Sequence, residues 1–214
     1  MPLAAFVLAL LSLSMLGVAA PDGELARDRH TPALGTGSWP SEYDGLFRKY
    51  TKRYFGPHFD WRWFKAQGIA ESGLKADVRS PSGAVGIMQI LPSTYREIRE
   101  QNPYFRGIAD PRWNIAAGIY YDRTLFRRWS VPVSDSERLS LTFASYNAGY
   151  GRIRQAVGHL GEEAPLWSQV EPLVPDETRH YVDRIYRLMA RAPAERRVRP
   201  RARGLEAFLL DAAS

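Results

Sequence analysis

The chain has 214 residues, a length that accommodates one domain once non-globular ends are set aside, and 45% of them are hydrophobic, enough for one sizeable core. It contains no cysteine, which excludes disulfide stapling and thiol-dependent catalysis. The formal net charge is +6, and half of it comes from the segment that begins at Arg191, where six arginines accompany three acids. A nucleic-acid-binding function would therefore depend on this C-terminal segment alone. The export of the chain that the N-terminal residues predict argues against that function.

The N-terminal residues 2–20 carry no charged side chain and are typical of a secretory signal peptide, with Val18-Ala19-Ala20 as a small-residue cleavage site. No Lys or Arg precedes the apolar run, and its length reaches the lower limit of a membrane helix, so an uncleaved anchor is the alternative. Residues 21–38 are rich in glycine, proline and threonine, which predicts a linker. We expect the chain to be exported.

Apolar residues spaced three or four apart, combined with helix-start signals, predict a series of helices between residues 39 and 191. Their starts are near Ser41, after Asp60, at Pro92, at Asp110-Pro111, at Ser134 (with Glu137 in capping-box spacing) and at Pro175. Alternation typical of strands is nearly absent. The predicted fold class is therefore all-α, or mainly α, in one domain over 39–191, followed by an Arg-rich tail over 192–214.

Polar residues stand among apolar and glycine neighbours in four short segments: 69–73, 80–90, 144–149 and 177–182. Glu71 lies at the end of an apolar helix, where partial removal from water raises the pKa of a carboxyl, as a general acid requires. Gln89 follows glycines that permit close approach of a ligand, and it offers an amide donor and acceptor. Tyr146 and Asn147 could stack on a sugar and hydrogen-bond to it, and Tyr181 could present its hydroxyl to a cleft.

Each segment alone also has an ordinary structural explanation. A lone helical glutamate is usually solvated or salt-bridged, and the glycine segment fits a plain turn before a core helix. Gly149 suits a left-handed helix cap, Glu177 a helix N-terminus and Tyr181 the core. Only the ordered set of four discriminates between function and structure.

In this order the four segments resemble the lytic transglycosylase domain of the soluble type, which is related to goose-type lysozyme. The family's Glu-Ser matches Glu71-Ser72, and its Gly-x-Met-Gln matches Gly86 to Gln89. Its Ala-Tyr-Asn-Ala-Gly matches Ser145 to Gly149, with serine replacing the first alanine, and its Glu-Thr-x-x-Tyr-Val matches Glu177 to Val182. The resemblance covers roughly residues 40–190.

The resemblance implies a lysozyme-like helical domain with a groove for peptidoglycan glycan strands, and a periplasmic location. It makes Glu71 the catalytic acid/base, with Tyr181 against its carboxyl. Asn114 also resembles a family position, and we expect its side chain to cap a helix. The substrate-binding residues that it implies are Ser80, Met88, Gln89, Tyr146, Asn147, Glu177 and Tyr181.

Most glycosidases use two carboxylates, but Glu71 is the one acid that the matched segments place for acid/base work. In the family one acid suffices, because the N-acetyl group of the substrate assists departure of the leaving group. The expected product carries a 1,6-anhydro-N-acetylmuramic acid end. No metal and no cofactor is implied.

Several alternatives remain at this stage. Lysozyme-type hydrolysis of the same bond is the nearest one, and a non-catalytic wall-binding protein is the one from a different class. Ser72 to Lys75 fits the Ser-x-x-Lys of penicillin-binding enzymes, but the companion Lys-Thr-Gly is absent. A zinc peptidase lacks its His-Glu-x-x-His.

The Arg-rich tail carries prolines and dense like charge, which oppose a packed helix. We expect it to be a flexible, solvated tail that is dispensable for bond cleavage, and contact with an anionic membrane or wall polymer is the alternative. We expect the protein to be periplasmic, and contact of the tail with lipid would make it membrane-associated as well.

Overall fold

A computed structural model describes residues 39–130, 133–161 and 165–193. The predicted signal peptide, the linker and nearly all of the predicted tail lie outside these residues. Within them the chain is mainly helical, as predicted. The helices are α1 (Asp44–Phe55), α2 (Arg62–Ser72), α3 (Pro92–Gln101), α4 (Pro111–Arg128), α5 (Asp135–Ala148), α6 (Tyr150–Leu160), α7 (Trp167–Val170) and α8 (Asp176–Ala190), with a 3₁₀ turn at Glu171–Leu173 between the last two.

The predicted helix starts agree with the structure because they depend on contacts within one turn. The Asp110 carboxylate accepts a hydrogen bond from the Arg112 N–H at 2.8 Å, and Pro111 occupies the first helical position of α4. Ser134 Oγ accepts from the Glu137 N–H at 3.2 Å at the start of α5. Asp60 Oδ1 likewise accepts from the backbone N–H at the start of α2, at 3.0 Å.

The junction between α5 and α6 differs from the expectation. Gly149 has φ 88° and ψ 136°, so it is not a left-handed helical cap, and the prediction of such a cap is wrong. The extended ψ turns the chain so that α6 begins at the next residue, Tyr150. Sequence analysis did not identify α6, because a glycine after a helix was interpreted as an end and not as a joint between two helices.

Helix α2 packs against α1 and α8. All residues from Phe64 to Ile69 are buried, so α2 is covered on every side instead of showing one apolar face. Gly68 lets its neighbours approach closely, since a Cβ there would lie 3.1 Å from the Phe47 ring. Gly73, in the left-handed conformation, ends α2 directly after Ser72. The helix therefore carries Glu71 from the core to the edge of the domain.

Helix α4 packs against α1 and α5, and α8 packs against α2 and α5. These contacts gather the end of α2, the end of α5 and the start of α8 around one side of the domain. In the described ranges, no helix is both long and apolar enough to cross a lipid bilayer.

Candidate active site

A cleft of about 500 Å³ lies on this side of the domain. Its walls are the end of α2, the segment 80–94, the end of α5 and the start of α8. Six of the eight residues predicted for the site line it, namely Glu71, Ser80, Gln89, Tyr146, Asn147 and Glu177.

Glu71 is the central ionisable group of the cleft. It is half-buried, and burial raises its pKa to about 7, against an ordinary value of 4.5. The Tyr181 hydroxyl and the positive charge of Arg184 oppose this rise. Close to neutral pH the carboxyl can therefore hold its proton or release it, as one group that serves as acid and then as base must.

Tyr181 makes the contact that the sequence analysis expects. Its hydroxyl donates a hydrogen bond of 2.5 Å to Glu71 Oε1, across the packed α2–α8 pair. The side chain is buried, and both burial and the neighbouring Glu71 raise the pKa of the phenol well above its usual range. Tyr181 is thus a neutral donor that orients the carboxyl from behind the cleft wall, and it does not itself line the cleft.

The segment that contains the Gly-x-Met-Gln motif is held from below by Asn114. Its Oδ1 accepts from the Met88 N–H at 2.7 Å, and its Nδ2 donates to the carbonyls of Val85 and Ile108, each at 2.9 Å. The expectation that Asn114 caps α4 is wrong, because it is the fourth residue of the helix and its side chain points into the loop. Gly86 leaves the room for this, since a Cβ there would lie 2.7 Å from the amide.

Met88 and Tyr181 are the two predicted site residues that do not line the cleft, so the prediction that they bind substrate there is wrong. Met88 is fully buried and packs on Gly118, because a Cβ added to Gly118 would lie only 2.8 Å from the Cβ of Met88. The prediction that its side chain lines the groove is therefore wrong, because α4 comes close enough at Gly118 to enclose the thioether in the core. Its carbonyl still serves the site by accepting a hydrogen bond of 2.8 Å from the Tyr146 hydroxyl.

Gln89 and Ser80 form a wall of the cleft and also stabilise it. Gln89 has an unusual φ of 42°, and its amide donates to the Gly86 carbonyl at 2.8 Å. Ser80 Oγ accepts from the Ala84 N–H at 3.0 Å and shares a hydrogen bond of 2.8 Å with Ser82. The two polar side chains thus face the cleft from a turn that their own hydrogen bonds hold closed.

The remaining wall is formed by the end of α5 and the start of α8. The Tyr146 ring lies edge-on to Tyr121, with 5.4 Å between centroids. Asn147 Oδ1 accepts from the Thr178 hydroxyl at 2.8 Å, which links α5 to α8. Glu177 is exposed at the mouth of the cleft.

Sequence analysis missed several residues of the cleft. Tyr121 lines it from α4, and Ser82, Leu91 and Thr94 line it from the loop and the start of α3. The helical period of α4 alone does not show that the Tyr121 face meets the cleft, because that depends on how α4 packs against α5. Among the described residues no cluster of His, Asp or Glu side chains is arranged to hold a metal ion.

The chain is similar to known proteins in sequence and in structure. "Membrane-bound lytic murein transglycosylase F" of Vibrio cholerae is 28% identical over 163 residues, which are 66% of this chain and 29% of that protein. The protein of the same name from Shewanella woodyi is 27% identical over 167 residues, or 67% of this chain and 34% of that one. The chain thus spans about a third or less of the length of these relatives.

Among solved structures, the 70 kDa soluble lytic transglycosylase of Escherichia coli superimposes with a TM-score of 0.60 and 26% identity. The match covers 72% of this chain and 24% of that one. Its complex with bulgecin A superimposes equally well, with a TM-score of 0.61. The profile of the Transglycosylase SLT domain family matches residues 46–165, more than half of the chain. The protein therefore belongs to the Transglycosylase SLT domain family.

Proposed function

We propose that this protein is a peptidoglycan lytic transglycosylase that cleaves the β-1,4 bond between N-acetylmuramic acid and N-acetylglucosamine without water. The observation that carries the proposal is Glu71, a half-buried carboxyl in the cleft with a pKa raised to about 7 and a hydrogen bond from Tyr181. Relatives in sequence and in structure that are named lytic transglycosylases support it.

In the first step, the protonated Glu71 gives its proton to the glycosidic oxygen, and the bond from C1 of the muramyl residue to that oxygen breaks. The N-acetyl group of the same sugar assists this departure, so one carboxyl of the protein suffices. In the second step, the Glu71 carboxylate takes the proton of the C6 hydroxyl as O6 bonds to C1. The carboxyl regains its proton, and the product carries a 1,6-anhydro ring.

The walls of the cleft have the groups that a glycan strand requires. Tyr146 and Tyr121 offer ring surfaces for stacking on sugars, and Gln89 and Asn147 offer amide groups to hydroxyl and N-acetyl groups. We propose that these residues, with Ser80 and Glu177, bind the strand. Met88 acts only through its main chain.

The product decides between lytic cleavage and lysozyme-type hydrolysis. The C6 hydroxyl is tethered to the reacting carbon, so its effective concentration exceeds that of water in a cleft that excludes bulk solvent. Mass spectrometry of muropeptides released from purified peptidoglycan should show 1,6-anhydro ends, lighter by one water than hydrolytic products. Reducing ends would show a hydrolase instead. Glu71→Gln serves as the control. If the wild type cleaves the wall and Glu71→Gln binds it without cleaving it, the protein is an enzyme and not a wall-binding protein.

We also propose that the protein is exported and works in the periplasm beside a membrane. The uncharged residues 2–20 and the relatives named membrane-bound support this location. N-terminal sequencing of protein from the native host should begin near Pro21, and a start at Met1 would favour an uncleaved anchor. Deleting 192–214, most of which lies outside the described residues, should weaken salt-sensitive attachment to anionic membrane or wall polymer. Turnover on soluble glycan should persist.

A further inference from the structure

A second carboxyl, Asp122 on α4, is buried beneath the cleft and paired with an amide on α2. Asp122 and Gln67 are both fully buried, and Gln67 Nε2 donates to Asp122 Oδ1 at 3.2 Å. The other oxygen of each group, Gln67 Oε1 and Asp122 Oδ2, is also buried and has no hydrogen-bond partner among the described residues. Buried polar atoms are rarely left in this state, since each one costs the free energy of its lost hydration.

The chemistry of the two groups shows what would satisfy both oxygens. An ionised carboxylate offers only acceptors, and so does the amide oxygen, so a charged Asp122 leaves Oδ2 and Oε1 with no hydrogen between them. A protonated Asp122 has one O–H donor. If Oδ2 carries the hydrogen and donates it to Gln67 Oε1, acid and amide close a ring of two hydrogen bonds. One proton then satisfies both atoms.

The surroundings of Asp122 also favour its neutral form. The groups whose charges interact with it are Glu71 on α2, Tyr121 on α4, Tyr146 on α5 and Tyr181 on α8. All four groups lie in the described part of the chain, and none of the four is a cation. Burial raises the pKa of Asp122 well above its ordinary value, and the charge of Glu71 raises it further, against the hydrogen bond from Gln67.

We propose that Asp122 is protonated at neutral pH and donates its hydrogen to Gln67 Oε1, forming a neutral acid–amide pair that positions Glu71. Gln67 lies one turn before Glu71 on the same face of α2, so the pair ties the catalytic helix to α4 directly beneath the site. Asp122 is a positioning residue, because it touches Gln67 and not the substrate.

The neutral state of Asp122 matters for the reaction, and this step rests on the proposed function. Glu71 must become a carboxylate after it has given its proton to the leaving group. A charged Asp122 nearby would oppose that ionisation, whereas a neutral pair adds no charge. The proton of Asp122 therefore has two effects. It completes the acid–amide pair that positions Glu71, and it removes a negative charge that would oppose the ionisation of Glu71.

A first test needs no substrate. The ¹³C carboxyl resonance of Asp122, assigned by its loss in Asp122→Asn, should keep the chemical shift of a protonated acid from pH 5 to pH 7. A resonance that has the shift of a carboxylate at pH 7 overturns the proposal. Failure of wall cleavage would not affect this measurement, so the proposed function and the pair fail separately.

The second test compares the stability of the wild type with Asp122→Asn. Asparagine keeps the ring of hydrogen bonds, because its N–H donates to Gln67 Oε1, but it does not titrate. A folded-state pKa raised above the unfolded value means that the proton of Asp122 stabilises the fold fully below about pH 4 and that this contribution is lost as pH rises. The unfolding constant of the wild type, divided by that of Asp122→Asn, should therefore rise by up to about tenfold per pH unit above about pH 4. A ratio that is independent of pH contradicts a protonated Asp122.

The third test concerns positioning. Asp122→Ala should lower kcat on peptidoglycan about tenfold or more while KM changes little, and Asp122→Asn should recover most of the loss. Asp122→Asn should also leave the alkaline limb of the pH–rate profile where it is. A shift of that limb to lower pH would mean that Asp122 is charged and acts on Glu71 directly. If Asp122→Ala does not fold, the carboxyl resonance and the unfolding ratio decide.

Discussion

The floor and the rim of the cleft differ in how far they are withdrawn from water. The floor consists of Glu71 and Tyr146, and Tyr181 lies behind Glu71. All three are buried or half-buried, and burial is the largest cause that raises the pKa of each. The rim consists of Ser82, Asn147 and Glu177, which are exposed and line the mouth.

This difference separates two tasks that the proposed function requires of one groove. Proton transfer needs a carboxyl whose two states are close in free energy at neutral pH, and only removal from water brings a glutamate there. Recognition of a hydrated polymer needs groups that can exchange water for sugar hydroxyls at little cost. Changes at the floor should therefore affect the rate and its pH dependence, and changes at the rim should affect binding.

The largest expected effect comes from Glu71→Gln, and Glu177→Gln is its matched control, because each substitution replaces a carboxyl by an amide. Glu71→Gln should lower kcat on purified peptidoglycan by about 10²–10⁴-fold or more, because an amide cannot supply the proton. Glu177→Gln should keep most of the rate. An active Glu71→Gln variant would show that the acid lies elsewhere.

The same Glu71→Gln variant should be more stable than the wild type at neutral pH. Because the pKa of Glu71 rises from 4.5 to about 7 on folding, its proton stabilises the fold fully below about pH 4.5, and this contribution is lost as pH rises towards 7. Glutamine does not titrate, so Glu71→Gln does not lose this stability. Its free energy of unfolding at pH 7.5 should be higher than that of the wild type by about 2–3 kcal/mol. Thermal unfolding should show the gain at pH 7.5 and none near pH 4. A gain of equal size at both values would point to packing.

Tyr181→Phe should shift the pH–rate profile. The hydroxyl of Tyr181 stabilises the carboxylate of Glu71, so its loss raises the pKa of Glu71 above about 7. The alkaline limb should move to higher pH by about one unit, and kcat at pH 7 should fall about tenfold because the carboxyl is less well oriented. Tyr121→Phe is the control, since Tyr121 lines the same cleft and packs on Tyr146. An equal shift in both variants would assign the effect to general polarity.

The smallest effect is expected from Glu177→Gln taken by itself. An exposed charge at the mouth is screened by salt and water, so its loss should raise KM by about two- to fivefold and leave kcat within about twofold. Steady-state rates on soluble glycan at two salt concentrations measure this. A large fall in kcat would place Glu177 among the groups of the floor and remove the distinction between the two regions.

The sequence by itself determined what depends on neighbours along the chain. Asp110-Pro111 and Ser134 mark helix starts because a side chain caps a backbone N–H two or three residues away. The ordered motifs likewise identified Glu71 and five of the other residues that line the cleft.

The tertiary structure decided which side chains meet across long separations. Tyr181 and Glu71 are 110 positions apart, and Gln67 and Asp122 are 55 apart. The burial of Met88 depends on how closely α4 approaches at Gly118. These outcomes follow from the packing of helices against one another, and a helical period reports only which residues share a face. The raised pKa of Glu71 belongs to the same class, because it arises from neighbours that exclude water and not from the glutamate itself.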